Sequence, residues 1–81
     1  MIKATPMKVT KTVEKEVPNL GKRIYEARMR DRRALTQLCG LVGMSTQNWY
    51  RIESERQSVP IETLRKMEKA LGIDLGVSFD D

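Results

Sequence analysis

The stretch GMSTQNWYRIE, residues 43–53, decides how this chain folds. Gly43 is a stop for whatever helix precedes it, because glycine alone takes a left-handed backbone without strain. Ser45 is a good N-cap, so a helix is predicted from Thr46 to about Ser54. On that helix Trp49, Ile52 and Glu53 share one side, while Gln47, Tyr50, Arg51 and Ser54 share the other, with Thr46 at the edge near the N-terminus. A face carrying Gln, Tyr and Arg has the hydrogen-bonding types that read base edges, arginine pairing with guanine and glutamine with adenine. An ordinary amphipathic surface helix accounts for the same pattern, and this helix alone leaves both readings open.

Working outward, Leu35, Leu38, Cys39 and Val42 fall at i, i+3, i+4 and i+7 and predict a short helix over Leu35–Val42. Cys39 is small enough for two helices joined by a glycine turn to cross closely. Further upstream, Asn19 directly after Pro18 is a plausible N-cap. Leu20, Ile24, Ala27 and Asp31 then recur at helical spacing, and Arg30, Arg32 and Arg33 oppose the negative pole at that helix's end. Downstream, Pro60 fits the first turn of a helix from about Ile61 to Leu71, with Leu64, Met67 and Leu71 inward and Gly72 ending it. Ile73, Leu75, Val77 and Phe79 alternate with Asp74, Gly76, Ser78 and Asp80, which predicts a half-buried strand. Residues 1–18 are lysine-rich, with Pro6 and Pro18 and a weak alternation of Met7, Val9 and Val13. They are expected to be an extended arm or a disordered tail.

Composition bounds the function. The 81 residues, 40% hydrophobic and 32% charged, read as one small globular domain with a marginal core. The single cysteine excludes an internal disulfide, and the absence of histidine excludes a Cys/His zinc site within one chain. It also removes the side chain best suited to general base catalysis near neutral pH. No enzyme activity, metal or cofactor is expected. Association with a second copy is the remaining way to enlarge the core. No apolar run approaches the roughly 18 residues that span a bilayer, and no signal-peptide h-region is visible, so no membrane partner and a cytoplasmic location are expected. Residues 1–33 carry ten Lys or Arg against four acids, a net of +6, whereas residues 34–81 have a net of −2. Such a basic segment suits a polyanionic partner, and a solvated helix face accounts for it equally. Cys39 and Trp49 are expected to be core residues, and the methionines gap-fillers.

From Leu20 to Ile73 the chain resembles the lambda- and 434-repressor-like (XRE-type) helix-turn-helix family. LGKRIYEAR (residues 20–28) is similar to that family's first helix, and Leu38, Cys39, Val42 and Gly43 match its second helix and turn. Trp49, Ile52 and Glu53 match the buried side of its recognition helix, and ETLRKMEKALGI (residues 62–73) matches its fourth helix. The resemblance covers about two thirds of the chain. It implies a mainly α fold: a four- to five-helix repressor-like domain over residues 19–72, preceded by the arm and followed by a short C-terminal β-strand over residues 73–81.

The resemblance also implies roles. Thr46, Gln47, Tyr50 and Arg51 would contact bases, while Arg32, Arg33, Ser45, Arg56 and Gln57 would contact phosphates. Arg28 and Glu53 match an ion pair tying the first helix to the third, with two independent surface charges as the alternative. Several positions depart from the family. Ala34 and Leu35 stand where a threonine cap and a phosphate-holding glutamine are common, Glu55 where a glycine often ends the third helix, and Glu68 at a normally small position. The implied function is a sequence-specific regulator of transcription, binding double-stranded DNA as a homodimer on a palindromic operator. The C-terminal strand resembles that of family members among the antitoxins, so an antitoxin with a toxin partner is a second reading. An adaptor that has lost DNA binding is a third. In the dimer, Ile73, Leu75, Val77 and Phe79 are expected on a strand that pairs with its twin across the two-fold axis.

Overall fold

Several helix ends lie where the chain offers a partner for free backbone groups. The computed structural model describes residues 7–10 and 14–78. Over these it is mainly helical, with four helices and three short strands: β1 Met7–Thr10, β2 Glu14–Val17, α1 Leu20–Arg30, α2 Leu35–Val42, α3 Thr46–Glu53, β3 Val59–Pro60 and α4 Ile61–Leu71. No helix among the described residues is long and apolar enough to cross a membrane.

The helix ends show how local sequence is used. The α2 N-terminus has no capping side chain at Ala34; instead Gln37 reaches back and accepts the Ala34 N–H at 3.1 Å. This is half of a capping box. Gly43 ends α2 at φ 84°, as predicted. Ser45 caps α3 by accepting the Asn48 N–H at 3.1 Å. The expected cap at Asn19 is not made: Asn19 takes φ 61° with no side-chain bond to the helix. The Gly21 N–H is held instead by the Glu55 carboxylate at 3.1 Å, from the far end of α3.

Glu55 itself is left-handed at φ 59°. Its N–H donates to the Ile52 carbonyl at 3.0 Å and that of Arg56 to the Arg51 carbonyl at 2.9 Å, a Schellman closure of α3. The left-handed backbone costs a non-glycine residue roughly 1–2 kcal/mol. A carboxylate on the positive end of α1 contributes in the opposite direction.

The core gathers Leu20, Ile24, Leu38, Cys39, Trp49, Ile52, Leu64 and Met67 from the four helices, all buried. Burial raises the Cys39 thiol above its ordinary pKa. Trp49 is fully enclosed.

Two parts of the prediction are corrected. Residues 1–18 were expected to be an extended arm or a disordered tail; within them β1 and β2 form an antiparallel hairpin, Met7 opposite Val17 and Thr10 opposite Glu14. β1 also pairs in parallel with β3, Val9 beside Val59, giving the order β2-β1-β3. Val9 and Val59 are both fully buried, so the hairpin completes the core rather than hanging from it.

The C-terminal strand is the second correction: residues 73–78 form no strand. The Asp74 carboxylate accepts the Gly76 N–H at 2.7 Å, and Gly76 turns to φ 74°, which breaks the extended run. The backbone is then claimed by α4 side chains. Glu68 accepts the Leu75 N–H at 2.7 Å, and Arg65 donates to the Val77 carbonyl at 2.5 Å. Arg65 also pairs with Glu68 at 2.8 Å. These bonds account for a buried glutamate at position 68. Leu75 and Val77 are buried within their own chain while Ile73 is exposed. Phe79 lies outside the described residues.

Candidate nucleic-acid interface

Helix α3 is fixed from behind. Trp49 and Ile52 enter the core, and the Arg28 guanidinium grips Glu53 bidentately, Nε to Oε2 at 2.5 Å and Nη2 to Oε1 at 3.0 Å. The pair is largely enclosed, with side-chain exposures of 16% for Arg28 and 7% for Glu53. The same Glu53 Oε2 accepts the Trp49 indole N–H at 2.7 Å. The hydrogen bond to the Glu53 carboxylate favours the charged guanidinium and raises the Arg28 pKa. The predicted ion pair is therefore present and half-buried. Its third member, Trp49, was legible as an i, i+4 spacing to Glu53 but was read only as core.

With its back anchored, α3 turns Gln47, Tyr50, Arg51 and Ser54 outward. Together with Thr46 and Arg56 they line an open groove of about 390 Å³. All four predicted base-contact residues thus meet in one place, joined by Arg56 from the predicted phosphate set. The groove presents a guanidinium fork, a carboxamide, a phenol and hydroxyls, which together donate and accept in fixed directions. Tyr50 is 53% exposed. Among the described residues no group of His, Cys, Asp and Glu is placed to hold a metal.

The remaining predicted phosphate contacts divide. Arg32 is exposed at the end of α1. Ser45 spends its hydroxyl oxygen on the α3 cap, and Gln57 donates to Asn48 Oδ1 at 2.5 Å, bracing the loop after α3 against the helix. Arg33 is engaged within the fold. It pairs with Asp31 at 2.8 Å and donates to the Ala70 carbonyl at 2.6 Å, near the C-terminal end of α4. The sequence read Arg33 as a phosphate contact; its partner on α4 lies 37 residues away.

The Asp31–Arg33 contact has a pH consequence. Hydrogen bonds from the Arg33 side chain and backbone N–H hold the Asp31 carboxyl at a pKa of about 2, below the model-peptide 3.8. A depressed folded-state pKa adds stability at pH values above 3.8, and that contribution is lost as pH falls from there through about 2. Urea midpoints of the wild type and Asp31→Asn, measured from pH 5 to pH 2, are therefore expected to converge at the acid end. Parallel curves would mean that the contact does not form in solution.

Comparison of the chain with models of protein families, with curated proteins and with solved structures finds no match in any of the three.

Proposed function

We propose that the chain is a sequence-specific double-stranded DNA-binding protein that reads the major groove with α3 and regulates transcription. The observation that carries this reading is the groove of Thr46, Gln47, Tyr50, Arg51 and Arg56 on a helix locked from behind by Trp49, Ile52 and the Arg28–Glu53 pair. A helix fits the major groove of B-form DNA, where each base pair shows its own donor and acceptor pattern. Arg51 suits the two acceptors of guanine and Gln47 the acceptor and donor of adenine. Thr46 and Tyr50 supply hydroxyls and apolar surface beside them. The exposed Arg56 and Arg32 supply cations suited to phosphates, and the net charge of +4 favours a polyanion. The chemistry of this face and the resemblance of residues 20–73 point the same way.

The reading extends to a homodimer on a palindromic site. Selection of bound sequences from a random duplex pool tests both parts. Enrichment of a defined sequence supports the DNA reading; inverted half-sites about 34 Å apart support the dimer, and a lone half-site excludes it. Arg51→Ala is expected to lose about 1–3 kcal/mol of discrimination at one base position. A folded Arg51→Ala protein with unchanged site preference would remove Arg51 from base readout.

A further inference from the structure

The Arg28 guanidinium does more than pair with Glu53. It lies over two tyrosine rings, 5.2 Å from the centroid of Tyr25 and 5.6 Å from that of Tyr50. Both distances are within cation–π range. Two of the guanidinium nitrogens are committed to Glu53, and Glu53 is committed to the Trp49 indole. The cation is therefore held by α3 itself and by the core. Tyr50 is otherwise a half-exposed side chain on a solvent-facing surface, yet it forms one wall of the groove that holds Gln47 and Arg51. A free phenol ring there would sample several rotamers and define no single wall.

We infer that Arg28 is a positioning residue for base selection: through its stacking on Tyr50 it fixes the wall of the α3 groove that decides which base step is accepted. This rests on the DNA-binding reading and goes beyond it, because Arg28 faces the protein and reaches no base itself. The planar guanidinium is needed for the role. A lysine keeps the positive charge for Glu53 but offers neither the bidentate fork nor a flat face for a ring. Preorganisation of this kind acts on the difference between right and wrong sequences more than on general affinity for DNA.

The test is a double-mutant cycle on discrimination, using the full chain. The enriched duplex and a scrambled duplex of equal length are titrated with the wild type, Arg28→Lys, Tyr50→Ala and the double variant, at a temperature where each is folded by Trp49 fluorescence. Arg28→Lys and Tyr50→Ala are each expected to lower the ratio of the two affinities about two- to fivefold, the range a partly exposed cation–π contact supports. The affinity of Arg28→Lys for the scrambled duplex should stay unchanged. The double variant should be no worse than Tyr50→Ala, because both changes remove the same wall. An unchanged ratio in Arg28→Lys, or single effects that multiply in the double variant, overturns the inference.

Where Arg28→Lys does not fold, Tyr50→Phe and Tyr50→Leu carry the test. Phenylalanine keeps the ring on Arg28 and is expected to keep the ratio, while leucine loses it; equal loss in both would assign the effect to the hydroxyl and overturn the proposal. A wild type that enriches no duplex at all removes the DNA-binding reading first, before any variant is compared.

Discussion

Replacing Glu53 with alanine is expected to cost the domain roughly 3–5 kcal/mol, the loss typical when one partner of a buried ion pair is removed. The magnitude follows from what remains behind. Arg28 keeps a charge in a site where its side chain is 16% exposed, and the Trp49 indole N–H, in a fully enclosed ring, loses its acceptor. An exposed pair would contribute under about 1 kcal/mol. Glu53→Gln separates the two contributions, since the amide oxygen can still accept from the indole while the ionic partner is gone; its loss is expected to be smaller. Urea unfolding followed by fluorescence of Trp49, the single tryptophan, reads both. A loss below 1 kcal/mol in Glu53→Ala would place the pair in solvent.

Gly21→Ala should also destabilise, against the usual sign for a glycine within a helix. Glycine to alanine in a helix interior ordinarily gains about 0.8–1 kcal/mol from backbone entropy. At position 21 the new Cβ would stand 2.2 Å from the Glu53 carbonyl oxygen and 2.9 Å from its carbonyl carbon, both backbone atoms. The helices α1 and α3 would have to move apart, and overpacking of a close contact costs roughly 1–3 kcal/mol, occasionally more. The steric cost outweighs the entropic gain, and a net loss of up to about 2 kcal/mol is expected. Gly40→Ala is the control. It lies within α2 with nothing within 4 Å of its added Cβ, so it should be neutral or stabilising by up to about 1 kcal/mol. If both substitutions shifted the urea midpoint in the same direction, the close crossing at Gly21 would be wrong.

These two positions also show where sequence reading stops. Gly21 carried no signal at all: a glycine one residue into a helix has many explanations, and the backbone it touches is 32 residues further on. Glu55 and Glu68 stood out only as departures from a family pattern. Each proves to be an acceptor for a backbone N–H outside its own helix, Gly21 for the one and Leu75 for the other. Nothing local to either glutamate announces that.

What the sequence determined by itself was whatever depends on a repeating local geometry. The apolar spacing of Leu35, Leu38, Cys39 and Val42 placed α2 at its observed bounds, and Gly43 and Ser45 marked the turn into α3. The wheel over Thr46–Glu53 separated Trp49 and Ile52 from Gln47, Tyr50 and Arg51, because helical periodicity fixes which residues share a face. The tertiary structure alone decided the termini and the partners. Ile73 to Phe79 alternate as a strand should, yet alternation specifies only which side chains point inward. Whether the backbone groups between them find another strand or side chains is decided elsewhere, and over residues 73–78 Glu68 and Arg65 of α4 take them. The N-terminal segment is the converse case. Its alternation was too weak to promise a strand, but Val9 meets Val59 fifty residues away, and there the backbone pairs strand to strand.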